Sequence, residues 1–315
     1  MKLTQAIDQY IKLKQSMGAR FHAEQVILNA FSKVMGNIDC NKVKSDRVYA
    51  YLVGTGPITM FFHRKYRALS GFYRFALGRN YICSSPLPKT LPKPSNPFTP
   101  YIYSQNELQR LVDATAAEEG NHRRKLQAFT LRTLILVLYG AGLRLSEALH
   151  LALADVDLAD SLLTIRETKF YKTRLVPIGP RLTEALSTYA TKRHQSGHPV
   201  NPEAPCFVTR HGEALTLQIA ERGFIRLLNR AGVHRDDGSR YQPRLHDLRH
   251  VFTIHRLISW YRQGANVQRL LPHLSTYFGH VNVSSTQHYL TMTPELLQEA
   301  SRCFELYALK GASHD

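Results

Sequence analysis

Cysteine is scarce in this sequence of 315 residues. The four cysteines lie far apart and form no CxxC pair: Cys40, Cys83, Cys206 and Cys303. This spacing argues against a disulfide framework and against a structural zinc site. We therefore expect the protein in a reducing cytosol.

Long apolar segments are absent as well. The longest apolar run, roughly residues 131 to 145, contains Arg132 and Arg144 and is too short to cross a bilayer. The first residues, MKLTQAID, become polar and acidic at once, which predicts that they are not a signal peptide. We expect no association with a membrane.

Acidic residues are in short supply. Asp and Glu number 24 against 41 Lys and Arg, which gives a formal net charge of +17 and a pI near 9.8. A cytosolic protein with this balance most often binds a polyanion, usually nucleic acid. A merely solvated cationic surface is the alternative, and the charge alone names no chemistry.

Prolines are concentrated in one segment. Six of the 15 prolines fall within residues 86–100, PLPKTLPKPSNPFTP. Proline has no backbone N–H and disfavours helix in the residue before it. We therefore predict an extended linker over residues 86–103, between a smaller domain, 1–85, and a larger domain, 104–315.

The smaller domain carries more than half of the excess positive charge. It has thirteen Lys and Arg against four Asp and Glu, and its apolar residues recur with a helical period. Between Thr59 and Leu77, aromatic residues are mixed with cations, which suits a helix lying on a phosphate backbone. An ordinary amphipathic core helix is the alternative. The candidate DNA contacts are Arg64, Lys65, Arg67 and Arg74.

The larger domain has the pattern of a mainly α fold with a small β-sheet. It opens with a capping box, Ser104-Gln-Asn-Glu107, followed by an apolar helix near residues 126–139. Two short β-like runs are predicted over residues 161–165 and 174–178. Further helices are predicted over residues 181–193, 216–231, 247–263, 267–277 and 294–309.

Six residues of the larger domain carry groups suited to phosphate chemistry: Arg144, Lys169, His246, Arg249, His280 and Tyr289. Taken singly, they have ordinary structural explanations. An arginine near a helix start usually pairs with a nearby carboxylate, here Glu147. A lysine in a hairpin turn is usually solvated, and a tyrosine near the end of a short helix usually packs.

Together, these residues stand in four segments: GAGLRLSEAL, TKFYKTRLVPIG, HDLRH and FGHVNVSSTQHYL. In this order the segments closely resemble the motifs of the tyrosine recombinases, the phage integrase family, including the nine-residue step from His280 to Tyr289. The resemblance covers residues from about 104 to 300. The smaller domain resembles the helical, SAM-like core-binding domain of that family.

The resemblance implies a two-domain clamp round double-stranded DNA. It implies that the protein forms a tetramer on two paired recombination sites and passes through a Holliday junction, with no metal and no cofactor. It also implies a bacterial protein that works in the cytosol, at the nucleoid.

The resemblance further assigns roles to single residues. Tyr289 would attack the scissile phosphate and leave a 3′-phosphotyrosine, while Arg144 and Arg249 would bind the non-bridging oxygens. Fixed guanidinium groups suit that task because they stay charged, bond two oxygens at once and stabilise the charge that gathers in the transition state. No P-loop pattern, GxxxxGK[ST], is present.

The remaining roles concern protons and support. In the family pattern Lys169 would protonate the departing 5′-oxygen, His246 would act as acid and base near the tyrosine, and His280 would donate a hydrogen bond to the phosphate. Glu147 would hold Arg144 or His246. Because a free tyrosine has a pKa of about 10, help with its proton is needed at neutral pH.

A zinc site is the rival interpretation of HDLRH. His246 and His250 are four residues apart, as in the zincin motif, but an aspartate replaces the catalytic glutamate and Arg249 would repel a divalent cation. We therefore expect His250 to pack or to bond the backbone.

Two features depart from the usual family pattern. Residues 264–279 are about four residues longer than in most relatives, about one helical turn, and contain Pro272. We expect this insertion to lengthen or kink one helix without displacing Tyr289. The N-terminus also looks too short for the additional arm-binding domain of some phage integrases.

The helix over residues 294–309 has an apolar side. It could dock on a neighbouring subunit, as in the family, or pack on its own domain.

Two other functions remain open at this point. A type IB topoisomerase uses similar chemistry without paired sites, and a DNA-binding protein that has lost its activity would keep the fold alone. The presence of all six candidate residues argues against the second alternative. For the recombinase itself, a role in a mobile element is favoured slightly over the resolution of chromosome dimers.

Overall fold

The computed structural model describes residues 1–19, 21–93, 99–117, 124–166, 173–239, 241–279, 282–291 and 293–311. The chain divides into two compact units, Met1–Phe98 and Thr99–Asp315. The described residues of the predicted linker, 86–93 and 99–103, form neither helix nor strand.

The first unit is helical. Its α-helices are α1 (Leu3–Ser16), α2 (His22–Met35), α3 (Ser45–Val53) and α4 (Met60–Gly78), with a 3-10 turn at Cys40–Lys42. Apolar residues from these helices form its core, among them the fully buried Leu28, Phe31, Leu69 and Phe72. Helix α4 begins at the cap residue Thr59, whose hydroxyl accepts a hydrogen bond from the N–H of Phe61.

The second unit combines nine described α-helices with a three-stranded sheet. The helices are α5 (Gln105–Ala116), α6 (Ala128–Gly140), α7 (Leu145–Leu149), α8 (Pro180–Gln195), α9 (Leu217–Ala231), α10 (Asp247–Arg262), α11 (Val267–Phe278), α12 (Ser284–Gln287) and α13 (Pro294–Gly311). The predicted capping box is confirmed at the start of α5, where Ser104 and Glu107 bond each other's backbone N–H.

The sheet is antiparallel, in the order β1 (Val156–Asp157), β2 (Leu162–Ile165) and β3 (Arg174–Pro177). Its two longer strands were predicted from the sequence, whereas β1 was not. In the β2–β3 pair, Ile165 lies opposite Arg174 and Leu163 lies opposite Val176. Because strand residues alternate between faces, Arg174 and the buried Val176 share one face.

Helix α6 is the centre of the second unit. It is apolar on nearly all sides and contacts α5, α8 and α10. A helix of this kind is stable only when it is surrounded by protein. Helix α6 leads directly into the turn 140–143, so the residues that follow this turn have a rigid support.

Gly142 in that turn has a backbone conformation that only glycine adopts readily. Its φ is +59°, and a Cβ built on it would lie 2.6 Å from the ring of Phe252 and 2.8 Å from the ring of Phe278. The turn therefore packs directly against α10 and against the end of α11.

The longer segment around Pro272 forms one helix. Helix α11 starts at the side-chain cap of Asn266 and continues past Pro272 until Gly279, which has φ +63° and ends it. Pro272 has no N–H for the carbonyl of Gln268, but the helix retains its packing through buried apolar residues on both sides of the proline.

Helix α13 packs on its own domain over its first turns. Arg262 of α10 pairs with Glu295 at 2.9 Å and with Glu299 at 2.7 Å, and Leu296 is fully buried. Docking of this helix on a neighbouring subunit stays a prediction. Leu297 beside it remains half exposed.

Among the described residues, no helix is both long and apolar enough to cross a membrane.

We predict that Gly142→Ala destabilises the protein. A left-handed backbone at a non-glycine residue costs about 1–3 kcal/mol, and overpacking against Phe252 and Phe278 costs a similar amount. Thermal unfolding of the full chain measures the loss. Gly179→Ala is the matched control, because its Cβ would meet nothing within 4 Å. A Gly142→Ala variant as stable as this control would contradict the analysis.

Candidate active site

Four of the six candidate residues lie within the described part of the chain, and the structure brings them together. Arg144 stands at the start of α7, His246 and Arg249 at the start of α10, and Tyr289 in the 3-10 turn His288–Thr291. Lys169 and His280 lie outside the described residues.

The buried carboxylate of Glu147 is the electrostatic centre of the site. Its Oε1 accepts a bond from Arg144 Nη1 at 2.6 Å, and its Oε2 accepts one from the backbone N–H of Arg144 at 3.0 Å. Nη1 and Nη2 of Arg174 donate to the same two oxygens, at 3.2 and 2.8 Å. Nη1 of Arg249 lies 3.8 Å from Oε2.

These cations keep Glu147 ionised. Burial alone would raise the pKa of its carboxyl, but the hydrogen bonds and charges of Arg174 and Arg144 outweigh burial and lower that pKa to about 2. Glu147 is thus a permanent anion among three guanidinium groups, and its contacts explain why Arg144 is fixed in place.

Arg249 is held by backbone carbonyls. Its side chain is only 2% exposed, and its guanidinium donates to the carbonyls of Gly142 at 2.7 Å and Phe278 at 3.1 Å. The guanidinium carbon lies 4.3 Å from the ring centre of Phe278. Burial lowers the pKa of Arg249, as does the charge of Arg144, while Glu147 raises it.

Arg144 is the more accessible of the two arginines. Its side chain is 33% exposed, and Nη1 also donates to the carbonyl of Phe278 at 3.4 Å. Its Nε and Nη2 donate to no other residue in the described part of the chain.

The rings of His246 and Tyr289 both lie next to the ring of His250. The ring centres of His246 and His250 are 5.2 Å apart, and those of His250 and Tyr289 are 5.4 Å apart. His250 therefore packs against both rings of the candidate acid–base pair. Within the described ranges, no three His, Cys, Asp or Glu side chains are grouped so that they could hold a metal ion.

The pKa shifts of this pair set its protonation states, and together they raise the free energy of moving a proton from the phenol to the imidazole. Burial lowers the pKa of His246, and the nearby cations Arg249 and Arg244 lower it further. Burial raises the pKa of Tyr289, against the lowering effects of Arg249, Thr253 and Arg144. At neutral pH the histidine is therefore a neutral base and the tyrosine a protonated phenol.

Arg174 was not among the sequence-based candidates. Its Nε also donates to the carbonyl of Tyr277 at 2.9 Å, and its side chain is 11% exposed. The sequence does contain a signal for it. In a strand of period two, Arg174 falls on the same face as the apolar Val176, and a charge on a buried face requires a partner.

Lys65 corrects one prediction for the first unit. Arg64, Arg67 and Arg74 of α4 are exposed, but Lys65 is 8% exposed and points inward. Its ammonium donates to the carbonyl of Tyr51 at 2.5 Å and lies 4.9 Å from the ring centre of Tyr51. Burial lowers the pKa of Lys65. Position 65 shares the buried face of α4, so Lys65 is no surface contact for phosphate.

Comparison with known proteins identifies the fold. Residues 102–295 match the phage integrase family. A Sinorhizobium fredii protein that carries the name integrase/recombinase y4rB is 34% identical over 96% of this chain and 96% of its own length. The tyrosine recombinase XerC of Chlorobaculum parvum is 31% identical over 75% of this chain and 70% of its own.

The chain belongs to the phage integrase family. It is accordingly a site-specific recombinase, as its sequence predicted, and the topoisomerase and inactive alternatives are not favoured.

Solved structures of phage integrase family members confirm the mainly α fold class. The Tn1549 transposon integrase, solved with transposon right end DNA, matches with a TM-score of 0.71 at 16% identity, over 98% of this chain and 100% of that chain. A lambda integrase tetramer bound to a Holliday junction matches with a TM-score of 0.66 at 14% identity, over 92% of this chain and 77% of that one.

The depressed pKa of Glu147 predicts how this integrase responds to acid. A carboxyl whose pKa is lower in the folded than in the unfolded state stabilises the fold above the unfolded value, near 4.5, and loses that contribution as pH falls towards 2. A shift of this size corresponds to about 3 kcal/mol. We expect Glu147→Gln to lower the unfolding temperature at pH 7. Below pH 4.5, the difference in unfolding temperature between this variant and the wild type should become smaller.

The matched control is Glu221→Gln, which removes an exposed carboxylate from α9. A gap between Glu147→Gln and wild type that stays constant from pH 7 to pH 3 would show that Glu147 carries no such linkage.

Proposed function

We propose that this recombinase cuts and rejoins duplex DNA through a covalent bond to Tyr289, in the service of a mobile element. The observation that carries the proposal is that Arg144 and Arg249 converge on Glu147 and on the carbonyl of Phe278. His246 and Tyr289 both pack against His250, and the charges of Arg249 and Arg144 act on both of them. A phosphodiester placed there would meet cationic donors, a nucleophile and a base.

The bond changes are those of a transesterification. The phenolic oxygen of Tyr289 forms a bond to phosphorus as the bond from phosphorus to the 5′-oxygen breaks, which leaves a 3′-phosphotyrosine and a 5′-hydroxyl. Rejoining reverses these steps, with the 5′-hydroxyl of the partner strand as nucleophile. The energy of the broken bond is kept in the phosphotyrosine, so no nucleotide is consumed.

Arg144 and Arg249 stabilise the charge on the non-bridging oxygens. Both guanidinium groups are fixed before the substrate arrives, so they need little reorganisation in the transition state. Loss of one such donor costs about 100- to 1,000-fold in rate, or about 3–4 kcal/mol. The family pattern adds a hydrogen bond from His280.

Two groups transfer protons: one accepts a proton from the nucleophile and the other donates a proton to the leaving group. His246, neutral because burial and the nearby arginines lower its pKa, accepts the phenolic proton of Tyr289. The family pattern gives Lys169 the task of protonating the departing 5′-oxygen. The guanidinium groups supply the positive charge that a metal ion supplies in other phosphoryl-transfer sites, so we propose that cleavage is metal-independent.

The DNA partner is supported by charge placed on both units. Arg64, Arg67 and Arg74 are spaced along one side of α4, and that helix is long enough to follow several phosphates. We propose that the unit of residues 1–98 acts as a core-binding domain and that both units clamp the duplex. Integration and excision by a mobile element would place the protein at the bacterial nucleoid.

The assembly is proposed as a tetramer on two synapsed sites. The lambda integrase structure that matches this chain is a tetramer bound to a Holliday junction. The mobile-element role is favoured by the similarity to y4rB over nearly the full length of both chains and by the fold shared with the Tn1549 transposon integrase.

We predict that Tyr289→Phe abolishes covalent capture of DNA and retains binding. The phenyl ring keeps the packing against His250 but has no nucleophilic oxygen. The assay incubates protein with nicked duplexes made from the DNA that flanks its gene, denatures the mixture in SDS and detects protein-linked strands. A Tyr289→Phe protein that still forms the adduct would show that Tyr289 is not the nucleophile.

We also predict that EDTA leaves the yield of the adduct unchanged in the same assay. If EDTA lowered the yield and added zinc restored it, a metal ion would take part in cleavage.

We predict that Arg67→Ala weakens DNA binding and reduces its salt dependence. Each phosphate contact contributes a slope of about −0.9 to the logarithm of the binding constant against that of salt concentration. The slope should therefore decrease in magnitude by about 0.9. Lys65→Met, which replaces a buried ammonium with a buried side chain of similar length, should keep the wild-type slope. The reverse pattern would place Lys65 on the DNA and Arg67 away from it.

A further inference from the structure

We propose that Arg174 is a positioning residue that satisfies Glu147 and thereby leaves Arg144 and Arg249 available for the scissile phosphate. The inference rests on the proposed function, because it assigns a supporting residue to the same site.

Every nitrogen of the Arg174 guanidinium is occupied by protein. Nη1 and Nη2 form a two-pronged pair with the oxygens of Glu147, and Nε donates to the carbonyl of Tyr277. Its role is therefore directed at the protein and not at the substrate.

The other two arginines place fewer side-chain nitrogens on the carboxylate than Arg174 does. Arg144 reaches Glu147 with a single side-chain nitrogen, at 2.6 Å, and Arg249 lies beyond hydrogen-bond distance of it, at 3.8 Å. The geometry thus divides the three cations into one whose whole guanidinium is bound to protein, Arg174, and two that border the carboxylate with less of theirs. The two bordering arginines are those that the proposed mechanism places on the phosphate.

Loss of Arg174 would turn Glu147 into a competitor of the substrate. A buried carboxylate that has lost its two-pronged partner recruits the nearest cation, because an unpaired buried charge is costly. The nearest cations are Arg144, already in contact, and Arg249, which needs to move by less than 1 Å to form a hydrogen bond. Both would then be drawn away from the phosphate and partly neutralised.

Arg174 also fixes the end of α11. It binds the carbonyl of Tyr277, while Arg144 and Arg249 bind the carbonyl of the next residue, Phe278. The approach is close: a Cβ on Gly279 would lie 3.2 Å from Arg174 Nη1. One cation from β3 thus anchors the same helix end on which the two phosphate-binding arginines rest.

The test uses the full chain and a nicked duplex, and measures the rate of adduct formation at saturating DNA. We expect Arg174→Ala to lower this rate by about 10- to 100-fold. This is less than the loss of a donor that contacts the phosphate itself, because Arg174 acts through Arg144 and Arg249. The informative comparison is the double variant Glu147→Gln/Arg174→Ala. Because it has no carboxylate to compete with the phosphate, we expect it to react at least about tenfold faster than Arg174→Ala, whose preorganised site is disrupted.

A purely structural role gives a different pattern. If Arg174 only held β3 and α11 in place, removing Glu147 as well would leave the rate unchanged or lower, and either result would overturn the proposal. A single variant as fast as wild type would overturn it too. Arg174→Lys keeps the charge but cannot bond both oxygens, so we expect an intermediate rate.

Two controls complete the design. Arg181→Ala removes an exposed arginine at the start of α8 and should react at the wild-type rate. If Arg174→Ala does not fold, as judged by thermal unfolding, Arg174→Lys is compared with Glu147→Gln/Arg174→Lys. A faster double variant again supports the proposal, and an equal or slower one overturns it. A wild-type protein that binds the duplex but forms no adduct contradicts the proposed function itself, and this inference with it.

Discussion

The pairing of one buried carboxylate with three arginines is the interaction on which the candidate active site in the second unit depends. Glu147 would be costly to bury without cations, and three guanidinium groups so close together would repel one another without an anion. Because the arginines come from the start of α7, from β3 and from α10, Glu147 joins three elements that are distant in sequence. The site retains a net positive charge, as a phosphate-binding site requires.

The same positive charge sets the behaviour of the acid–base pair. Arg249 lowers the pKa of His246 and counteracts the effect of burial on Tyr289, so one cation favours a neutral base beside a phenol that is easier to deprotonate than burial alone would allow. In the proposed mechanism, Arg249 would therefore couple phosphate binding to the activation of Tyr289.

Much of this arrangement could be predicted from the sequence, and the exceptions have physical causes. Periodicity and caps gave the helices and two strands, but a strand of two residues, Val156–Asp157, has no period to detect. Lys65 was expected at the surface because lysine is usually solvated, although its spacing from Phe62 and Leu69 places it on the apolar face of α4. Arg174 was missed because its partner, Glu147, lies on another element and depends on tertiary contacts.

Gly142 links Arg144 and Arg249, the two arginines proposed to bind phosphate, through the backbone. Its carbonyl accepts the bond that orients Arg249, and the chain reaches Arg144 only two residues later. A single turn supported by α6 thus acts on the position of both guanidinium groups, together with the packing of α10 against α6. A shift of this turn would therefore displace Arg144 along the chain and, at the same time, the carbonyl that orients Arg249.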